Sequence, residues 1–467
     1  MESFAKTIAQ IDALFNAQSV AIVGVPRGMK SGRIFLMALL EHRFAGTIYP
    51  VNPNAGEIDG LKTYPDIQSI PGTVDLAIIL VPGSQTLSVV KACVDKGVKG
   101  AVLFTAGYRE TGRPEGIEME RKILQAAQAG GMRLIGPNGM GLHTTRTGLS
   151  FFPQLSRKPG PVGIISNSGS LTNILGRVAA SRGVFFSKMV SLGNACDLTS
   201  ADFLAYFAND SETDVVGAYI EGIIDGTRFL KSLRDVSRVK PVVLWKVGMT
   251  REGSQAAFSH TGTLAGSEEI WRGVLKQGGA VPVAGFEAWL DALMAFSMIS
   301  PPTGHRVAII SGPGGLAVSA AEACGRAGLE LTGLLPETQT KLAEIIPPTG
   351  TSFKNPIDVG LVPALDIDIY IEAVKIAAQD PGVDVLVVIG AGLNPEINAR
   401  YTAGLVTLGQ TIQKPMLMVK IPGFDEDLAR QFCEAGIPFF DSAERALQTY
   451  ALVRRYWMWH DNSHVKG

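Results

Sequence analysis

Three times along the chain a short apolar run ends in a glycine-bearing turn and passes directly into a helix-like segment. The first instance is Ser19-Val-Ala-Ile-Val-Gly-Val25, followed by Pro26-Arg-Gly-Met-Lys-Ser-Gly32 and the amphipathic Ile34-Phe-Leu-Met-Ala-Leu-Leu-Glu41. The second is Gly160-Pro-Val-Gly-Ile-Ile165, Ser166-Asn-Ser-Gly-Ser170 and a helix opening at Leu171. The third is Arg306-Val-Ala-Ile-Ile310, Ser311-Gly-Pro-Gly-Gly315 and Leu316-Ala-Val-Ser-Ala-Ala-Glu322. An unbroken apolar strand needs burial on both faces, which a parallel sheet covered by helices provides. The turn matters as much as the strand. It presents the unpaired amides of a helix N-terminus, with no bulky side chain in the way, to whatever anion lies above the sheet.

Length and composition set the scale. With 467 residues, 46% of them apolar and 53 of them glycine, the chain has material for about three α/β domains. A net charge of −1 gives no general electrostatic reason to bind nucleic acid or an anionic membrane. No apolar run has the length of a membrane span, and Met1-Glu-Ser-Phe-Ala-Lys lacks the regions of a signal peptide. Cys93, Cys196, Cys324 and Cys433 are far apart and in no metal-ligand spacing, so free thiols in a reducing cytoplasm are expected. No metal site is read.

Residues 1–147 read as a Rossmann-like domain. After the first strand come Thr47–Pro53, Val74–Pro82, Gly100–Thr105 and Arg133–Pro137, with helices near Gln85–Asp95 and Gly116–Ala129 between them. Strand ends in a parallel sheet line the ligand crevice. Candidate ligand contacts are therefore Gly24, Val25, Pro26, Arg27 and Lys30 in the first turn, with Val51, Val81, Pro82 and Asn138 at later strand ends. The spacing of Gly24, Gly28 and Gly32 departs from G-x-G-x-x-G, which disfavours a nicotinamide dinucleotide and a dehydrogenase.

Residues 148–303 form the second expected domain. Ser168, Gly169 and Ser170 open its first helix, either holding an anion or merely capping. A serine nucleophile is disfavoured because the G-x-S-x-G spacing is absent. Glu221 ends the apolar run from Val215, and Pro241–Lys246 leads to Phe258-Ser-His-Thr-Gly-Thr-Leu-Ala-Gly266, placing His260 on an expected loop. A histidine displayed there serves as base, nucleophile or ligand, and a strand-end carboxylate can fix its tautomer. A plain loop histidine and a solvated glutamate are the alternatives. Residues 304–467 read as a third, flavodoxin-like domain, with Gly312, Gly314 and Gly315 repeating the anion-facing turn.

Four segments, in this order, resemble the α subunit of nucleoside-diphosphate-forming acyl-CoA synthetases, relatives of succinyl-CoA synthetase. They are Gly136-Pro-Asn-Gly-Met-Gly141, Ser166-Asn-Ser-Gly-Ser-Leu171, Tyr219-Ile-Glu-Gly222 and Ser259-His-Thr-Gly-Thr-Leu-Ala-Gly266. The resemblance covers nearly the whole chain. It implies a Rossmann-like domain that binds coenzyme A, two flavodoxin-like domains, a transiently phosphorylated His260 oriented by Glu221, and two helix N-termini holding the phosphoryl group. Gly139 stands where many relatives carry cysteine, and Arg27–Lys30 replaces a turn richer in serine and glycine. No G-x-x-x-x-G-K-[ST] sequence is present. The resemblance places ATP/ADP or GTP/GDP and its Mg2+ on an ATP-grasp β subunit, so a hetero-oligomer acting on acyl-CoA, phosphate and a carboxylic acid is expected. A non-catalytic CoA-binding regulator of the same fold is the alternative.

Overall fold

A computed structural model describes residues 4–261, 266–302, 304–360, 366–423 and 428–465. The chain divides into two compact units, Met1–Val178 with Phe185–Ala284, and Ala179–Val184 with Gly285–Gly467. Among the described residues no helix is long and apolar enough to cross a membrane.

The first unit contains two large sheets and the short antiparallel pair Glu57–Ile58 with Leu61–Lys62. In one, five parallel strands run in the spatial order Thr47–Val51, Ser19–Val23, Leu76–Ile79, Gly100–Leu103, Arg133–Ile135. A single parallel bridge joins Val51 to Tyr64 beyond the first of these. It is closed by Asn52 N–H to Tyr64 O and Tyr64 N–H to Pro50 O, both 2.9 Å. Counting that bridge as a reduced strand gives the order 3-2-1-4-5-6 of the dinucleotide-binding fold. The strands are apolar because both faces are covered: all five residues of Ser19–Val23 and all four of Leu76–Ile79 are buried.

The second sheet has the order Val281–Val283, Val242–Lys246, Val215–Ile220, Val162–Ser166, Phe186–Ser191, Gly141–Thr144. Its five parallel strands follow the flavodoxin-like order 2-1-3-4-5. The edge strand Gly141–Thr144 is antiparallel to Phe186–Ser191. The first sheet therefore hands over to the second immediately after the Gly136–Gly141 turn. Helix Phe4–Phe15 packs on helix Ser200–Asn209, with the Phe15 and Tyr206 rings stacked at 5.4 Å.

The second unit repeats the 2-1-3-4-5 order, as Glu330–Leu331, Arg306–Ser311, Val385–Ile389, Met416–Val419, Phe439–Phe440. A short strand, Ile357–Asp358, pairs with Ile310 and Ser311 off this path. The parallel strands of the three large sheets thus follow the orders of the expected classes, with one antiparallel edge strand on the second. One local expectation is overturned. His260 does not stand on a loop, because helix Arg251–Thr261 runs through it. The run Gln255-Ala256-Ala257 favours helix, and the helix carries on through His260 to Thr261. Gly262 and the three residues after it lie outside the described residues.

Candidate active site

In the first sheet the switch of direction falls between Ser19–Val23 and Leu76–Ile79, where an open parallel sheet offers a crevice. Gly24 leaves the first strand at φ 88°. A Cβ built there would meet Val81 Cγ1 at 2.9 Å, so glycine is what lets the turn pass the neighbouring strand end. A groove at this edge is lined by Gly24, Val51, Asn52, Val81, Pro82 and Gln85, among others. Helices Arg33–Glu41 and Gly83–Lys96 begin beside it without side-chain caps. In the first of these Arg33 N–H already donates to Lys30 O at 2.8 Å and Ile34 N–H to Ser31 O at 3.3 Å, so the start left for an anion is that of Gly83–Lys96, with the amides of Gly83 and Ser84.

Four of the nine expected ligand contacts, Gly24, Val51, Val81 and Pro82, share this groove; Val25, Pro26, Arg27, Lys30 and Asn138 are not among its lining. Val25 is fully buried, while Arg27 and Lys30 are exposed. Asn138, at φ 60°, donates its amide to Thr105 O at 3.1 Å. Two positioning residues were missed. Arg33, 8% exposed, binds Pro26 O at 2.8 Å and pairs with Asp59, and Asn52 Nδ2 binds Val25 O at 2.8 Å. Between them they bind the consecutive carbonyls of Val25 and Pro26. An arginine one position past the turn's last glycine, and an asparagine ending a strand, were the available signals.

In the second sheet the switch of direction falls between Val162–Ser166 and Val215–Ile220. The structure brings Ser168 and Glu221 to this one edge, and Asn167 joins them. Its amide donates to Tyr219 O at 3.1 Å, its Oδ1 accepts from Glu221 N–H at 3.1 Å, and its Nδ2 donates to Gly193 O at 3.2 Å. Ser168 Oγ accepts from Leu171 N–H at 3.3 Å, the capping role weighed above. The amides of Gly169 and Ser170 still open the helix Gly169–Ala179. A Cβ on Gly169 would meet Met140 Cγ at 2.6 Å, so the Gly136–Gly141 turn packs directly on this helix start.

Glu221 is 4% exposed, and Tyr219 hydrogen-bonds its side chain. Burial, with that carboxylate beside it, drives the Tyr219 phenol up from its ordinary value. Lys246 ends the adjacent strand and donates to Glu221 O at 2.8 Å. A lysine closing an otherwise apolar strand was its signal. The side chain of His260 lies outside the described residues, so only its backbone, in the last turn of its helix, is placed.

In the second unit, helix Gly314–Arg326 starts without a side-chain cap. Gly312 faces the Tyr370 hydroxyl so closely that a Cβ has no room. Asp358 lies against Gly314, where a Cβ would sit 2.5 Å from Oδ2, and its Oδ1 accepts from Gly360 N–H at 2.8 Å. A carboxylate therefore already stands beside this helix start. Gly315 faces open space.

Comparison with known proteins bears on this geometry. The CoA binding domain family matches residues 18–145, and the succinyl-CoA ligase like flavodoxin domain matches residues 159–296. The α subunit of acetate–CoA ligase [ADP-forming] II from Pyrococcus furiosus is 35% identical over 454 residues, covering 95% of this chain and 98% of that one. The chain belongs to the α-subunit family of ADP-forming acetate–CoA ligases. Its fold is also that of a solved acetyl-coenzyme A synthetase from Candidatus Korarchaeum cryptofilum in complex with phosphate and ADP. The TM-score is 0.86 and the identity 31%, over 98% of each chain. Acetate–CoA ligase [ADP-forming] I of Archaeoglobus fulgidus is 34% identical, and there the match covers 96% of this chain but 64% of the relative. Members of this family are acid–thiol ligases, and the groove at Gly24 lies in the part matched as CoA-binding.

Proposed function

We propose that the chain is the CoA-binding and phosphohistidine-bearing subunit of an ADP-forming acyl-CoA synthetase. The observation that carries the proposal is the single sheet edge where Asn167 ties an open helix start to Glu221. The strand next to it leads to the helix that carries His260. Domains are proposed at 1–147, 148–303 and 304–467, for CoA, for the phosphohistidine and for the second phosphate turn.

The chemistry divides one difficult transfer into two. Phosphate oxygen attacks the thioester carbonyl of acyl-CoA, the C–S bond breaks, and CoA leaves as acyl phosphate forms. A ring nitrogen of His260 then attacks phosphorus; the P–O bond to the acyl group breaks and the carboxylate departs. The nucleoside diphosphate finally takes the phosphoryl group from His260. The imidazole must be neutral to attack, and Glu221 favours one tautomer by accepting from its other N–H. The amides of Gly169 and Ser170 stabilise the charge on the phosphoryl oxygens, as donors at a helix start do. Gly312, Gly314 and Gly315 are the second proposed phosphate contact, with Asp358 restricting its approach. CoA is assigned to the groove at Gly24, with Arg27 and Lys30 reaching its phosphates from the exposed turn.

The nucleotide, ADP or GDP with Mg2+, is assigned to an ATP-grasp partner subunit. Two facts support a partner: relatives matching end to end are named subunits, and a single-chain relative keeps about a third of its length beyond the match. Reconstitution tests the reading. Wild-type chain plus partner should make ATP from acetyl-CoA, ADP and phosphate, and His260→Ala should not. Full turnover by the His260→Ala pair would overturn it.

A further inference from the structure

Lys246 is 6% exposed, at the end of a strand whose other members are apolar. An ammonium group so placed must have each N–H matched. One goes to Glu221 O at 2.8 Å and another to Val247 O. The ammonium also lies 4.7 Å from the centroid of the Trp271 ring, within cation–π range. Burial lowers the Lys246 ammonium to about 8, and the Glu221 carboxylate opposes the fall. The Tyr219 phenol, itself bonded to Glu221, belongs to the same group of side chains.

The partners of this lysine are informative. Glu221 is the proposed orienting carboxylate, and Lys246 grips the main chain that carries it. Trp271, 4% exposed, lies on helix Glu268–Gly278, which follows the histidine motif. Gly266, the last residue of that motif, leaves it at φ 79°; a Cβ there would sit 3.1 Å from Trp271 Nε1. One ammonium thus joins the backbone of Glu221 to the ring against which the C-terminal stem of the motif rests. A leucine of similar volume would fill the same space and would join neither.

We infer that Lys246 is a positioning residue of the phosphoryl-transfer site, fixing the Glu221 main chain and the Trp271–Gly266 stem in one geometry. The inference rests on His260 as the phosphoryl carrier.

The test uses the chain assembled with its nucleotide-binding partner, as wild type, Lys246→Met and Lys246→Gln. Methionine keeps the length and removes every donor, whereas glutamine keeps an N–H donor without charge. Lys246→Met should lower kcat at least roughly tenfold, the usual scale for removing such a support. KM for CoA should stay within about twofold, because the CoA groove belongs to the other sheet. Lys246→Gln should fall between the two. Wild-type kcat should fall above about pH 8 as the Lys246 ammonium loses its proton, and that fall should be absent from Lys246→Met. Lys246→Met takes its donor from two buried carbonyls, Glu221 O and Val247 O, so its urea midpoint should fall, and kcat is therefore read per folded protein at a temperature where the urea curve shows the variant folded. An unchanged kcat, or a loss of kcat that only tracks a loss of folded protein, overturns the inference. The carrier assignment is read separately. If His260→Ala keeps its phosphoryl label the carrier reading fails. If His260→Ala loses the label while Lys246→Met behaves as wild type, only Lys246 is misassigned.

Discussion

Alanine at Gly24 is a small change with a calculable effect. The backbone there has φ 88°, where a Cβ is unfavourable, at a cost of about 1–2 kcal/mol. The added methyl would also lie 2.9 Å from Val81 Cγ1 and 3.2 Å from Val81 N. Val81 cannot easily retreat, because it is 8% exposed and its carbonyl accepts from Thr105 Oγ1 at 2.6 Å. Overpacking of this kind adds roughly 1–3 kcal/mol, for a total of about 2–5 kcal/mol. The strain falls on the two strand ends that flank the proposed CoA groove, so stability and CoA affinity should drop together. Gly28→Ala is the matched control. Its Cβ meets nothing within 4 Å and its φ is not positive, so an effect within about 0.5 kcal/mol is expected. Urea unfolding followed by calorimetry with CoA on the full-length chain gives both quantities. A Gly24→Ala protein indistinguishable from Gly28→Ala in midpoint and affinity would refute the argument.

Three other outcomes follow from particular contacts. His143, 1% exposed and bonded through Nδ1 to Ser150 Oγ at 3.0 Å, is lowered by burial to about 3, with His42 adding to the shift. The unfolded chain then binds more protons below about pH 6.5, so stability is lost as pH is lowered; about 2 kcal/mol should go between about pH 7 and pH 5. Urea midpoints at the two pH values measure this loss, and His143→Phe should flatten it. Ser168→Ala should cost about 1 kcal/mol in the same assay by removing a helix cap, yet leave the phosphoryl label in place. Asp358→Asn should tighten phosphate binding by about two- to fivefold in equilibrium dialysis, because a carboxylate no longer opposes an anion at the Gly314 helix start. An unchanged affinity would remove that turn from the list of phosphate contacts.

The fold was legible because its signals are local. Continuous apolar runs such as Val162–Ser166 and Val385–Ile389 announce buried parallel strands, and each became one. The Gly24 and Gly169 turns were legible because only glycine tolerates the close approach of Val81 and Met140. The bridge at Tyr64 was not legible, since a single pair of hydrogen bonds leaves no periodicity to read. The supporting side chains were hidden for a different reason. Arg33, Asn52, Asn167 and Lys246 act on main-chain carbonyls and amides brought near by the sheet order. Their partners are up to 54 residues away in sequence. Cysteine placement was simpler: Cys93, Cys324 and Cys433 are buried, on helices, and free. The loop expected around His260 failed because helix propensity outweighed the two hydroxyl residues flanking it.

The central claim is that His260 carries the phosphoryl group. Its most direct test is to incubate the assembled protein with radiolabelled phosphate and acetyl-CoA, denature it, and divide the sample between acid and alkali. A phosphoramidate on histidine is lost in acid and survives alkali, whereas a phosphoserine survives acid. The account predicts an acid-labile, alkali-stable label on the peptide containing His260, absent from His260→Ala and slowed but present in Glu221→Gln. An acid-stable label on Ser168 or Ser259, or an undiminished label in His260→Ala, would contradict it.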